Sequence, residues 1–241
     1  MKKIIGKIIS QLGYKISKRV PKDHDFFQTQ VKLTDSTRRQ IIFDVGAFDG
    51  ETSKKYHKYF KSNCDIYSFE PFEDSFQLLQ KNIASAKNIK PFQMAIGAKD
   101  ETNDFYVNNF TATNSLLPAS EEGLKTWDND ILVNKKIIKV PTMTIDSFLE
   151  KNKIEQVDIL KLDTQGAEYL VLEGAEKSIR TGKIKMIISE LIVMPSYENQ
   201  KDLDEMLLLY KNYGFELYTF FNSIDANHRL KFIDGIFIYK N

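Results

Sequence analysis

From Gln40 onward, short apolar runs alternate with segments whose apolar residues recur at helical spacing. Ile41-Ile42-Phe43-Asp44-Val45 is an apolar run that stops in a glycine turn, which predicts a buried strand. A helix over 51–61 follows, then a strand over 65–70 closed by Pro71, and a helix over 73–84. Residues 89–96 read as a third strand ending at Gly97. The alternation then pauses. Residues 103–107 and 137–143 read as extra strands around a polar stretch, 108–135, that is too long for a simple connection and is expected to be functional or to carry a short helix. Thr144 is placed to cap a helix that starts at 145. Strands over 157–163 and 186–191 and helices over 167–178 and 199–213 resume the alternation, the last helix closed by Gly214. Residues 215–221 and 233–239 are strands with no helix between them, which predicts a terminal antiparallel hairpin.

Repeated strand–helix–strand units fold into an α/β architecture, a parallel sheet covered on both faces. Such sheets bind ligands beyond the carboxyl ends of their strands, so the residues that follow each strand are the candidates for chemistry. The main domain is expected over 40–241 with an insertion at about 98–143, preceded by a basic helical arm over 1–39. Within that arm, Met1 to Lys22 carries seven lysines and arginines, no acid, and isoleucines at helical spacing. A helix of this kind suits an anionic membrane surface, or packing on the domain or on a second subunit. It lacks the uninterrupted apolar stretch and small-residue cleavage site of a secretory signal. No apolar run is long enough to cross a bilayer, so the expected location is cytoplasmic, with at most peripheral contact at the inner face of the membrane. A formal net charge of +1 gives no overall basic footprint for nucleic acid. Cys64 is the single cysteine, which forbids an intramolecular disulfide, and no Cys/His cluster has zinc spacing.

The first strand ends in Asp44-Val45-Gly46-Ala47-Phe48-Asp49-Gly50-Glu51-Thr52. Glycines in a strand-to-helix turn let backbone approach a ligand, and the helix start offers free amide groups. Acids beside the turn argue against a pyrophosphate and for a cationic ligand. S-adenosyl-L-methionine carries a sulfonium and an ammonium that Asp44 could attract. Glu70 lies twenty residues beyond Gly50, at the end of the second strand, where a carboxylate commonly accepts both ribose hydroxyls of an adenosine ligand.

These segments, together with Ala95-Ile96-Gly97, Asn114-Ser115-Leu116, Val140-Pro141-Thr142-Met143-Thr144-Ile145-Asp146 and Leu160-Lys161-Leu162-Asp163-Thr164-Gln165-Gly166-Ala167-Glu168, resemble the FkbM family of methyltransferases in order and spacing. The resemblance runs from Gln40 to Tyr239. It implies a class I methyltransferase (Rossmann-like) fold: a doubly wound, mostly parallel seven-stranded sheet with an antiparallel terminal hairpin. It also implies bound S-adenosyl-L-methionine and O-methylation of a small-molecule or glycan acceptor such as a sugar, a surface glycan or a polyketide hydroxyl. Cofactor contacts are expected from Asp44, Gly46, Ala47, Phe48, Gly50, Thr52, Glu70, Pro71, Phe72, Ala95, Ile96, Asn114, Ser115 and Asp163. Phe48 departs from the family pattern, in which many members carry Asn.

Methyl transfer to a hydroxyl is an in-line displacement, which needs oxygen, methyl carbon and sulfur aligned and a base for the hydroxyl proton. Asp163 is the first candidate for that base, Glu168 the second, and Glu190, a carboxylate interrupting an apolar strand, is a candidate for the acceptor site. Asp163 and Glu190 offer oxygen ligands, but two acids are thin support and no metal is expected. Trp127, Tyr106 and Phe110 could stack on a sugar ring or simply anchor the insertion. The competing class is an NAD-dependent oxidoreductase or epimerase acting on a nucleotide sugar. It calls for a Gly-x-Gly-x-x-Gly fingerprint and a Tyr-x-x-x-Lys pair, which neither 56–60 nor 169–173 supplies.

Overall fold

The computed structural model describes residues 25–226 and 229–240. The basic helix expected within residues 1–22 lies outside the described residues. Helix α1 (Phe26–Leu33) leads into β1 (Gln40–Val45), α2 (Glu51–Tyr59), β2 (Cys64–Phe69), α3 (Glu73–Ile83) and β3 (Ile89–Phe92). The insertion comprises β4 (Ala95–Ile96), β5 (Glu101–Asn108), a single turn at Thr111–Thr113, α4 (Glu121–Thr126) and β6 (Asn134–Met143). Then come α5 (Ile145–Asn152), β7 (Ile159–Leu162), α6 (Glu168–Glu173), α7 (Glu176–Arg180), β8 (Met186–Ile192), α8 (Leu203–Asn212), β9 (Phe215–Ala226) and β10 (Arg229–Tyr239).

Seven strands form one sheet in the order β3-β2-β1-β7-β8-β10-β9. The first five run parallel, and β10 is antiparallel to both β8 and β9. This is the doubly wound class I methyltransferase architecture, and the order reverses between β1 and β7. The central strands are buried on both faces, which is why they read as apolar runs rather than alternations. One face packs Phe43, Phe148, Leu160, Val171, Ile187 and Phe237. The other packs Ile42, Tyr56, Ile66, Leu79, Ile159 and Ile188. Lys161 is the one charged residue in β7.

Three expectations need correction in detail. Residues 89–96 are not one strand. The chain turns at Phe92, whose carbonyl accepts from the Met94 amide at 3.1 Å, and Ala95-Ile96 pair instead with β6 in a separate three-stranded sheet, β4-β6-β5. The helix expected over 167–178 is two helices. The Gly174 carbonyl accepts from the Asp146 amide at 3.0 Å, and the Asp146 carboxylate takes the amides of Lys177 and Ser178, so a residue distant in sequence caps α7 and interrupts the ladder. Helix α8 starts at Leu203, later than 199, because the Asp202 and Glu205 capping box sets its first turn. Thr144 caps α5 as expected, accepting from the Ser147 amide at 3.0 Å.

Helix α1 sits on the same core as the sheet. Phe27 packs edge-on to Tyr56 and stacks on Tyr59, Phe26 meets Phe221, and buried Gln30 accepts from the Tyr56 hydroxyl at 2.9 Å. Arg38 pairs with Asp158, whose carboxylate also accepts from the Ile41 amide at 2.7 Å.

Candidate active site

A cleft of about 440 Å³ opens at the carboxyl ends of β1, β2, β7 and β8, between the main sheet and the insertion. Its β1 wall is the Gly46 turn. The amides of Gly46 and Ala47 both donate to the Phe69 carbonyl, at 3.1 and 2.9 Å, which locks the turn to the end of β2. Gly46 has φ +77, and a Cβ there would stand 1.9 Å from the Asp163 carbonyl oxygen, so only glycine fits. Phe48 has φ +47, a left-handed conformation that Asn adopts more readily than Phe. The departure from the family pattern therefore falls on a strained position. Its amide donates to Glu70 Oε2 at 3.0 Å, which holds it there.

Glu70 lies on the cleft wall and is nearly buried, with Phe72 N–H donating to its other oxygen at 2.9 Å. Burial pushes its carboxyl up to about 7, against the pull of the two amides and Lys161. Each carboxylate oxygen keeps a second lone pair, so Glu70 can still accept two hydroxyl protons. Across the cleft, Asn114 Oδ1 accepts from the Asn108 amide at 2.8 Å, while its Nδ2 is buried without a protein partner. A paired acceptor for vicinal hydroxyls and an orphaned donor fit a nucleoside carrying an amino-acid carboxylate.

The β7 end supplies the charged centre. The Lys161 ammonium lies 3.1 Å from Asp163 Oδ2, 3.3 Å from Asp44 Oδ1 and 3.3 Å from the Gly46 carbonyl oxygen. Burial disfavours its charge, but Asp163 and Asp44 outweigh burial and hold the pKa above the ordinary lysine value. Asp163 is the open member, with a side chain 36% exposed. Gln165 Nε2 donates to Asp163 Oδ1 and to Glu190 Oε2, both at 2.9 Å. Tyr197 donates to the Thr113 carbonyl at 2.9 Å and lies 3.1 Å from Gln165 Oε1. Burial, reinforced by Asp163 and Asp234, pushes the Glu190 carboxyl well above the ordinary range. Phe110, Trp127, Ile131, Leu132 and Phe232 add an apolar wall on this side. A smaller cavity of about 180 Å³ adjoins it, shares Lys161, Asp163 and Glu190, and is roofed by Phe26 and Phe27.

Gly46, Ala47, Phe48, Thr52, Glu70, Pro71, Ala95, Ile96, Asn114, Asp163 and Glu190 all line the cleft. Five expected residues stand behind its surface instead. Asp44 is fully buried, accepts from the Ser53 hydroxyl at 2.5 Å and pairs with Lys161, so its charge reaches the cleft only through that lysine. Gly50 is the left-handed cap of α2, where a Cβ would meet Leu79 at 2.6 Å. Phe72 packs with Ala95, Phe105 and Val140. Ser115 donates to the Gln165 carbonyl at 2.8 Å and pins the insertion to the β7 loop. Glu168 is buried, raised to about 7 chiefly by that burial, and occupied by the amide and hydroxyl of Thr164 at 2.7 and 3.0 Å. It braces the loop rather than facing a substrate. Of the aromatics, Phe110 and Trp127 face the cleft, whereas Tyr106 does not line it. Sequence reasoning assigns no individual role to Lys161, Gln165 or Tyr197, although the first two lie in a segment that carries the family resemblance. A lysine within an apolar strand is the same kind of signal that singled out Glu190. Gln165 and Tyr197 carry no local signal.

The sequence matches the family described as the Methyltransferase FkbM domain over residues 44–217. That span is most of the chain, and the protein belongs to the FkbM methyltransferase family. It is an S-adenosyl-L-methionine-dependent methyltransferase, which sets aside the oxidoreductase alternative. Among characterised proteins it is similar to the 2-O-methyltransferase NoeI of Sinorhizobium fredii, at 23% identity over 181 residues, covering 69% of each chain. Among solved structures, the METTL16 methyltransferase domain aligns over 97% of this chain and 77% of its own, with a TM-score of 0.51 and 9% identity, which shows a shared fold. Aeropyrum pernix fibrillarin with natively bound S-adenosyl-L-methionine aligns over 83% of this chain and 67% of its own, with a TM-score of 0.47 and 13% identity.

Proposed function

We propose that the protein methylates a hydroxyl on a sugar or surface-glycan precursor. The observation that carries this reading is the placement of Asp163: exposed to the cleft, next to the cofactor-side turn, and flanked by an apolar wall that includes Phe110 and Trp127. Aromatic faces suit the C–H faces of a sugar ring, while carboxylates and amides suit its hydroxyls. The similarity to a 2-O-methyltransferase supports transfer to oxygen.

S-adenosyl-L-methionine, when bound, supplies an electrophilic methyl group. Glu70 would accept hydrogen bonds from its ribose hydroxyls, and the buried Asn114 Nδ2 would donate to its carboxylate. Asp163 is placed to take the hydroxyl proton of the acceptor as the methyl carbon exchanges its bond to sulfur for one to the acceptor oxygen, the neutral thioether leaving. Lys161 and Gln165 hold Asp163 by one oxygen each, which keeps the carboxylate facing the cleft. Glu190, whose carboxyl burial pushes well above the ordinary range, lines the same cleft and is tied to Asp163 through Gln165. The acceptor is a small molecule or glycan rather than nucleic acid, in keeping with a formal net charge of +1. Among the described residues no helix is long and apolar enough to cross a membrane.

The test is methyl transfer from labelled S-adenosyl-L-methionine to a panel of free sugars, nucleotide sugars, lipid-linked glycans, catechols and small amines, with the product methyl located by NMR. An O-methyl signal on a sugar carbon is expected. Transfer confined to an amine or a catechol would defeat the proposal.

A further inference from the structure

Holding Asp163 does not by itself account for Lys161, a charged residue in the most deeply buried strand of the sheet, where an uncompensated ammonium is strongly disfavoured. It touches both halves of the cofactor side at once: Asp44 and the Gly46 carbonyl from β1, and Asp163 from its own strand. Asp44 is sealed from the cleft and Asp163 is open to it. The ammonium therefore joins two carboxylates that would otherwise repel each other across the β1–β7 pair.

We infer that Lys161 is a charge-setting residue of the methyl-donor pocket: with Asp44 and Asp163 it fixes a local charge of −1, and this sum decides how strongly the pocket prefers the cationic methyl donor over its neutral thioether product. The two ligands differ by one positive charge at sulfur and by one methyl group, so everything else the pocket grips is common to both. A pocket that is too negative would bind the donor tightly but lose the brace on the Gly46 turn. A neutral one would favour the product. The inference concerns the donor pocket alone and does not depend on what the acceptor is.

The readout is the ratio of the dissociation constant of S-adenosylhomocysteine to that of S-adenosyl-L-methionine, measured by calorimetry without acceptor. Lys161 lowers the Glu70 and Glu190 carboxyls and Asp163 raises that of Glu190, so the ratio is followed across a range of pH in every variant, to separate their titration from the charge removed. Lys161→Met takes the local charge to −2 and is expected to raise the ratio; Asp163→Asn takes it to 0 and is expected to lower it, each by about tenfold for one unit of charge in a partly buried site. The double variant returns the sum to −1 and the ratio to near its original value. Lys161→Arg retains the ratio even where both affinities fall.

A merely structural lysine would change both affinities by a common factor. Ratios that stay within about twofold of the unaltered protein in Lys161→Met and Asp163→Asn alike would overturn the inference, because one charge at such a site is expected to exceed that. Should Lys161→Met fail to fold, Asp163→Asn and Lys161→Arg decide the matter between them. A fall in the first with no change in the second supports the assignment. An unchanged ratio in the first refutes it.

Discussion

On the β1–β2 side of the cleft, the binding elements are near neighbours in the chain. Glu70 reaches Phe48 and Phe72, 22 and 2 residues away, and the Gly46 turn closes on the end of the adjacent strand. On the opposite side the contacts reach further along the chain: Ser115 to Gln165 across 50 residues and Tyr197 to Thr113 across 84. The first side is backbone geometry around one carboxylate, a device that any adenosine-binding sheet of this type can reuse. The second is a side-chain network assembled from the insertion, the β7 loop and the segment after β8. Under the proposed function the ribose grip is thus local structure, whereas the acceptor side is assembled by tertiary structure.

Substitutions that affect one side and spare the other sharpen this division. The largest effect is expected from Asp163→Asn: loss of the general base should lower turnover by about 10²–10⁴, far beyond its effect on cofactor affinity. Turnover with the true acceptor, set beside calorimetry, checks this, and a near-normal rate would remove Asp163 from that role. Next is Glu70→Ala, which deletes a charged acceptor worth about 1.5–3 kcal/mol and should weaken cofactor binding by an order of magnitude or more. Calorimetry reads it directly, and the acceptor KM should be little changed.

The third effect needs no substitution. Burial raises the Glu70 carboxyl to about 7, while hydroxyl donors favour its ionised form. Cofactor binding should therefore expel a proton and strengthen by about tenfold from pH 6 to pH 8, levelling off above that. Stability without ligand takes the opposite sign. A carboxyl whose folded pKa lies above its unfolded value of 4.5 contributes fully below that value and loses the contribution as pH rises towards about 7, and Glu168 behaves alike. Thermal melts across pH 4 to 8, with and without cofactor, test both signs. Affinity that is flat over this range would mean Glu70 is already ionised before binding.

The smallest effect belongs to Tyr197→Phe, which removes a hydrogen bond worth about 0.5–1.5 kcal/mol. With the network loosened, acceptor KM should rise a fewfold while cofactor affinity holds. A change confined to cofactor affinity would blur the division between the two sides.

Periodicity and turn residues alone were enough to determine the main alternation of strands and helices, the parallel sheet with its terminal hairpin, and the Gly46 and Glu70 positions, though not the breaks at Phe92 and Gly174. Each depends on residues that are close in sequence or on burial of both faces of a strand. Only the tertiary structure decided that Asp44 is sealed behind Lys161, that Glu168 is consumed by Thr164, that Asp146 splits a helix by capping its second half, and that Gln165 joins Asp163 to Glu190. A sequence shows which groups carry charge and where strands end. Which of those groups meet, and which face water, depends on contacts between segments far apart in the chain.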